Sequence, residues 1–532
     1  SSRLYSNFSN QEKMILDINY KNYEKLLDSR KLSIENYRAT ESIQEWVPAK
    51  LTFNNEEYSV KIKLKGTHRD HWEHPNKWSF KVKVRNNKTL LNVREFSIQH
   101  PKTRGYLYEW LFMQALKKEK LISHRVKFFE VVVNGNSLGI YNFEEQHSKE
   151  LLENNGRREA PIIGFDKNLW IDEANNVENL AINSLQDSFW RAKISAVNLA
   201  KIKIGSDQEL YLSNAINLLE SFRNGTLEMN KVFDTDQLAK LMALKALFGS
   251  VEFDWRDIKF YYNPITSLLE PIGREVHSQR LPIQTWWIDS SITSLSHSAD
   301  QESFLELLYK DYDFYKKYLN ELYRVSESNY LAELIKSNKK QFTKNKKILK
   351  KNYPTTNLFS KNDMELYRKQ IRDTFNPVQG INAYFLNYKD NILSLNVGNL
   401  QRLPIEVIGL KFDDSSKEIF DNNIVIDGKK PGVPVVHTTI RLKCSIEFKC
   451  NNTSIKNQKL IFNIPGQDIK RESQIVFWNN FDKNFVSQQE SKYKTNLQEK
   501  IYIELNEDKK EIKIKKGKWK LNEKLTFPKG FK

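Results

Sequence analysis

The chain has 532 residues, room for about three domains at roughly 150 residues each. Its 39% hydrophobic and 28% charged residues of mixed sign exclude a globally disordered polymer, and only 18 Gly and 14 Pro exclude collagen-like and low-complexity chains. Lys and Arg number 84 against 66 Asp and Glu, a net charge of +18, which favours anionic partners only in a general way because Lys is spread widely beside Asn and Ile.

Residues 1–50 read as helical, with Met14, Ile15 and Ile18, then Tyr23, Leu26 and Leu27, at helical spacing. From Lys50 the period becomes two. LTFNNEEYSVKIKLKG predicts a hairpin turning at Asn54-Asn55, and KWSFKVKVRNN and FSIQHP predict further strands. YLYEWLFMQALKKEKL predicts an amphipathic helix. VKFFEVVVNGNSLGIYNFEE predicts a hairpin through Asn134-Gly135-Asn136. Residues 148–250 read as mostly helical, and FDWRDIKFYYNPITSLLEPI as strand, turn at Asn263-Pro264, strand. Helix returns over 300–375, where Leu331, Leu334, Ile335, Phe342 and Leu349 line one face. Lys339, Lys340, Lys344, Lys346, Lys347, Lys350 and Lys351 crowd the other, which reads as a solvated face, with an anion-binding face as the alternative.

Beyond about residue 385, short β runs broken by Asn, Asp, Gly and Pro predict an antiparallel sandwich. The last segment, from Glu499, resembles the first rung of a parallel β-helix whose remainder would follow residue 532. Cys444 and Cys450 stand six apart in the strand-like LKCSIEFKC. On one straight strand they would lie roughly 20 Å apart at about 3.3 Å per residue. That exceeds the reach of a disulfide, about 7 Å between Cα atoms, so two free thiols are expected. No apolar run reaches the roughly 18 residues of a membrane-spanning helix. The chain opens Ser-Ser, and a leader trimmed before that point would place the protein outside the cytoplasm or at the cell surface.

The common phosphate-loop, dinucleotide, hydrolase-elbow and HExxH patterns are absent. His68, His71 and His74 are spaced by three, but Gly66, Pro75 and the flanking strands point to a polar surface loop rather than a zinc helix. Asp254 and Asp257 stand three apart beside bulky aromatics, and Glu275 follows the next strand. Carboxylates at hairpin ends suit a hard cation, and equally suit caps and turns.

Several ordered blocks over roughly residues 50–375 resemble one family. They are VKIKLKGTHRDHW with KWSFKVKV, REFSIQHPKTRGYLYEWLF, LISHRVKFFEVVVNGNSLGIYNFEEQ and FDWRDIKFYYNPITSLLEPI. They look like the CotH kinase-like family, the spore coat protein H-like atypical kinases. The resemblance implies an ATP- and Mg²⁺-dependent phosphotransferase, with Mn²⁺ as the alternative metal, acting on hydroxyls of a protein or glycan partner. Nucleic acid is not an expected partner. By the same resemblance Lys65 or Lys77 contacts phosphates, Glu145 orients that lysine, Asp254 is catalytic, and Asp257 and Glu275 bind metal, with Asp289 as the runner-up for the second ligand. Asp257 stands where the family usually has Asn, and Glu275 where it has Asp. These departures support the alternative of a catalytically degenerate, binding-only module of a cell-surface or coat protein.

The expected fold class is α+β. An atypical protein-kinase-like domain covers 1–384, with a helical lead-in over 1–49 and a core over 50–375. A β-sandwich-like domain follows over 385–494, then a β-rung or linker over 495–532.

Overall fold

The computed structural model describes residues 12–477, apart from 37–38, 40–42, 176–187, 198, 251–252, 254, 277–286, 289–298, 431, 445–449 and 451–454, together with the strands at 501–506 and 511–516. The chain is mixed α+β and forms two compact units. The first holds residues 1–377 with 465–467, and the second 378–464 with 468–532.

The first unit begins with a closed barrel. Its strands are β1 (Lys13–Asp17), β2 (Val47–Phe53), β3 (Glu56–Leu64), β4 (Phe80–Val84), β5 (Glu95–Gln99), β7 (Val126–Val133) and β8 (Asn136–Glu145). Around the barrel they run β1-β2-β3-β4-β5-β8-β7, and β7 closes on β1 as a parallel pair. Two-residue alternation fills the inside: Val60, Ile62 and Leu64 from β3, Phe80, Val82 and Val84 from β4, and Phe96 and Ile98 from β5 are all buried in one core. The predicted hairpins are present. Asn54 and Asn55 both adopt positive φ, 50° and 63°, and Asn134 and Gly135 do the same at 47° and 80°, as tight two-residue turns require. The first 50 residues are not all helix. Lys13–Asp17 is a strand that buries Met14 and Leu16, and the helix starts at Tyr20, capped by the Asn19 side chain accepting from Asn22 N–H.

A second sheet has the order β10-β9-β11-β12-β6, with β6 (Ile122–Ser123), β9 (Ile162–Phe165), β10 (Ile194–Ala196), β11 (Lys259–Asn263) and β12 (Leu268–Gly273). β9 and β10 lie in a stretch expected to be mostly helical. Helix Asp207–Asn224 contacts β9 to β12, and helix Thr235–Leu247 packs on β12 and on helix Tyr312–Val325. The helices expected over 300–375 are present, from Ala299–Lys310 to Lys361–Thr374.

The second unit is strand-rich. β13 (Ile381–Lys389), β14 (Ile392–Asn399), β15 (Ile405–Lys411), β16 (Lys417–Ile426), β17 (His437–Lys443), β18 (Lys459–Asn463) and β19 (Arg471–Phe477) are ordered β16-β15-β18-β19-β13-β14-β17. One neighbour pair, β13 with β19, is parallel, so the sheet is not purely antiparallel. Cys444 and Cys450 form a disulfide, with Cα atoms 6.6 Å apart, which overturns the expected free thiols. The physical reason is that β17 stops at Lys443, so the two cysteines do not share one straight strand. β20 (Ile501–Asn506) and β21 (Glu511–Lys516) pair antiparallel with each other, whereas β-helix rungs stack in parallel. Residues 478–500 and 517–532, which carry the rest of the rung expectation, lie outside the described residues.

Candidate active site

In the first unit, the end of β3 and its following loop, β9, β10, helix Thr235–Leu247 and the flanks of the β11–β12 hairpin enclose a cavity of about 830 Å³. That is within the range of small-molecule and cofactor sites, about 300–1,000 Å³. Nine Lys and Arg line it against four Asp and Glu, so its field favours an anion. Gly66, two residues past the end of β3, has φ 90°, and His71 packs so closely there that a Cβ would meet its ring at 2.0 Å. Only glycine satisfies both conditions at this corner.

Behind the cavity sits a buried charge network centred on Glu144, which is fully buried. Arg104 Nε donates to its Oε2 at 2.6 Å and Arg274 Nε to its Oε1 at 2.7 Å. Gln99 Nε2 also donates to Glu144, and accepts at its own oxygen from Lys65 Nζ at 2.6 Å. Lys65 Nζ itself lies 3.9 Å from Glu144. Arg104 reaches further, donating to Glu275 Oε1 at 2.6 Å. Buried Glu109 accepts two consecutive backbone N–H groups, from Glu275 at 2.9 Å and Val276 at 2.7 Å, and Glu275 is held in the left-handed region at φ 55°. Burial alone raises the Glu144 carboxyl, but Arg104, Arg274 and Lys65 outweigh it and hold the group well below the usual carboxylate range. Burial pushes the Lys65 ammonium well down, and Glu144 opposes that shift. Burial likewise lowers Lys259, on the cavity wall, to about 8, with Asp257 opposing.

The chain matches the family model described as CotH kinase protein over residues 62–380, more than half its length. It belongs to the CotH kinase family. No curated protein matches it.

Seen as a CotH kinase family member, the chain brings together only part of the residue set expected from sequence. Lys65, Asp257 and Glu275 all line the cavity. Lys77 is absent from its lining. Its ammonium donates to Ile140 O at 2.7 Å and to the Tyr353 hydroxyl at 2.8 Å, and lies over the rings of Tyr141 and Tyr353. Glu145 does not pair with Lys65. It binds Arg125 through both oxygens, at 3.1 and 3.0 Å, and the carboxylate nearest Lys65 is Glu144. Adjacent strand residues point to opposite sides, so a one-residue difference changes the partner completely. Asp254 and Asp289 lie outside the described residues. His71 is buried with Nδ1 3.0 Å from Ser79 Oγ, so it is not part of a surface loop, whereas His68 and His74 are exposed. Glu144, Arg104, Arg274 and Glu109 were not anticipated. Arg104, Glu109 and Glu144 fall inside the blocks that carry the resemblance, but no local pattern gives them a role, and with Arg274 they come from three separate stretches of the chain.

Asp257 accepts from Lys167 Nζ at 2.7 Å, and Glu275 from Arg104. Among the described residues no group of three His, Cys, Asp or Glu could hold a metal ion. The described residues therefore do not by themselves make a divalent-metal site. What they supply is a cationic wall and fixed carboxylates.

A pH dependence follows from the histidines beside this network. His124 is fully buried, its Nδ1 2.8 Å from Glu145 O, its Nε2 without a hydrogen-bond partner among the described residues, and its ring 4.8 Å from that of His147. Burial, with Arg274 adding to it, lowers His124 from 6.5 to about 4. Between these values the unfolded chain binds a proton that the folded chain does not, so stability is expected to fall as pH drops from 6.5 towards 4. Urea midpoints across that window measure the slope, and His124→Phe should flatten it. An equal slope in the variant would assign the effect to other groups.

Proposed function

We propose that the protein is an ATP-dependent phosphotransferase acting on hydroxyl groups of a protein partner, with a glycan as the alternative acceptor. The carrying observation is the cationic cavity of nucleotide size in which Lys65 is tied through Gln99 to the Glu144 network. In this reading Lys65 binds phosphate oxygens and Glu144 fixes its direction. Asp254 orients the acceptor hydroxyl and accepts its proton. Mg²⁺ or Mn²⁺ accompanies the nucleotide, and Asp257, Glu275 and Asp289 are its proposed ligands. The Cys444–Cys450 disulfide supports an oxidising, extracytoplasmic setting. No helix among the described residues is long and apolar enough to cross a membrane.

A binding-only module is the second reading. It is favoured by the cations already held by Asp257 and Glu275. Incubation with γ-labelled ATP and either metal separates the two, because label transferred to protein requires catalysis. The phosphotransferase reading requires nucleotide binding, whereas a module that only binds a partner does not. ATP with metal should raise the melting temperature, since a ligand at about 100 times its Kd stabilises by about 2.7 kcal/mol. No shift at millimolar ATP with either metal would remove the phosphotransferase reading and leave the binding-only module.

A further inference from the structure

The positive charge of this chain is not evenly distributed. Residues 336–361 contain nine Lys and no Asp, Glu or Arg, which is half of the whole chain's surplus of +18. Six of the nine lysines lie in the helix Lys339–Lys350. Lys339, Lys340, Lys344, Lys346 and Lys347 are all exposed, and none is in an ion pair with any described residue. The other side of the helix is anchored. Asn345 and Leu349 are buried, and the Phe342 ring lies 6.0 Å from Trp110 and 5.5 Å from Phe359. The lysine face is therefore held outward by packing.

That arrangement works against the helix that carries it. Lys340 and Lys344 are like charges at i,i+4, and Lys344 and Lys347 at i,i+3, both destabilising spacings. A polyanion laid along the face would relieve the repulsion. Lys340, Lys344 and Lys347 form one ridge, and the helix is about 17 Å long at about 1.5 Å per residue. An extended polypeptide covers that length with about five residues, and its same-side side chains recur about every 7 Å, a spacing that flexible lysine side chains about 5–6 Å apart can meet. The exposed face has no aromatic ring between Lys339 and Lys350, so it offers no platform for stacking bases. It also has no guanidinium, the group suited to bidentate phosphate recognition.

We propose that the lysine face of helix Lys339–Lys350 docks an extended acidic segment of a partner protein. Charge complementarity selects the partner, and an acidic chain needs neither ring stacking nor a phosphate fork.

The test is fluorescence anisotropy with a labelled oligoglutamate of about ten residues, at low salt and at about 0.15 M salt. The comparison protein carries Lys340→Gln, Lys344→Gln and Lys347→Gln together. All three side chains are exposed and their mutual repulsion is removed, so its melting temperature should equal the parent's or lie slightly above it. The parent should bind the peptide at both salt concentrations. The triple variant should bind at least about tenfold more weakly, with a shallower salt dependence. Absence of binding at about 0.15 M salt overturns the proposal, as does equal binding by the variant. Tighter binding of single-stranded DNA or polyphosphate of equal charge would also overturn it, by assigning the face to a different polyanion. The assay contains no nucleotide, so its failure leaves the phosphotransfer reading standing.

Discussion

Replacing Glu144 by alanine is expected to cost this protein about 3–5 kcal/mol of stability, the usual penalty for removing one partner of a buried ion pair. The carboxylate is fully buried and accepts hydrogen bonds from Arg104, Arg274 and Gln99, with Lys65 at 3.9 Å. Arg104 would retain Glu275, but Arg274 and Lys65 would lose their nearest buried anion. A loss of that size is a large share of a typical domain stability of about 5–15 kcal/mol. Glu145→Ala is the control. It too is buried, but its partner Arg125 is partly exposed and can turn to water, so a smaller loss is expected. Urea unfolding of both variants decides the matter. If Glu144→Ala unfolds at the parent's midpoint, the network is not the frame of this cavity.

Asp254→Asn should give the largest loss of activity. A positioned acid–base group contributes roughly a hundredfold or more to turnover, so a loss of at least about that size is expected if Asp254 takes the acceptor's proton. Asparagine keeps the shape and removes the charge, so melting temperature and its rise with ATP should stay near the parent's. Turnover and thermal shift must be measured on the same preparation, because a transition-state role lowers kcat while ground-state nucleotide binding survives. An unchanged rate would mean that the proton acceptor lies elsewhere.

The sequence showed those parts of the fold that are settled locally. The hairpins were visible because Asn54-Asn55 and Asn134-Gly135 are residues that accept positive φ, and because alternation on both sides is long enough to register. β1 was misread because Met14, Ile15 and Ile18 also fit a helical stripe. What makes it a strand is its pairing with residues 50–53 and 130–133, which no local pattern reveals. β9 and β10 have four and three residues, too short to display a period. In the site, Lys65 was readable but its carboxylate partner was not, since Glu144 and Glu145 are neighbours and only the strand's facing distinguishes them. Arg104 and Glu109 escaped because they act from 40 and 166 residues away, on Glu144 and on the backbone of Glu275. The Cys444–Cys450 bridge was missed because the end of β17 cannot be located from alternation alone.

The closing of the barrel separates what is recognisable in this chain from what folds. The family match begins at Ile62, inside β3, yet the ring is completed by β1 and β2, which precede it. A polypeptide trimmed to the matched stretch would lose Met14, Leu16, Val47, Leu51 and Phe53 from the core. It would also leave β7 and the remnant of β3 as open edges, the surfaces through which strand proteins aggregate. A closing strand needs little beyond alternating apolar residues, a requirement that many unrelated segments meet, whereas the cavity calls for particular charged groups at particular places. The barrel therefore begins at Lys13, dozens of residues before the matched stretch.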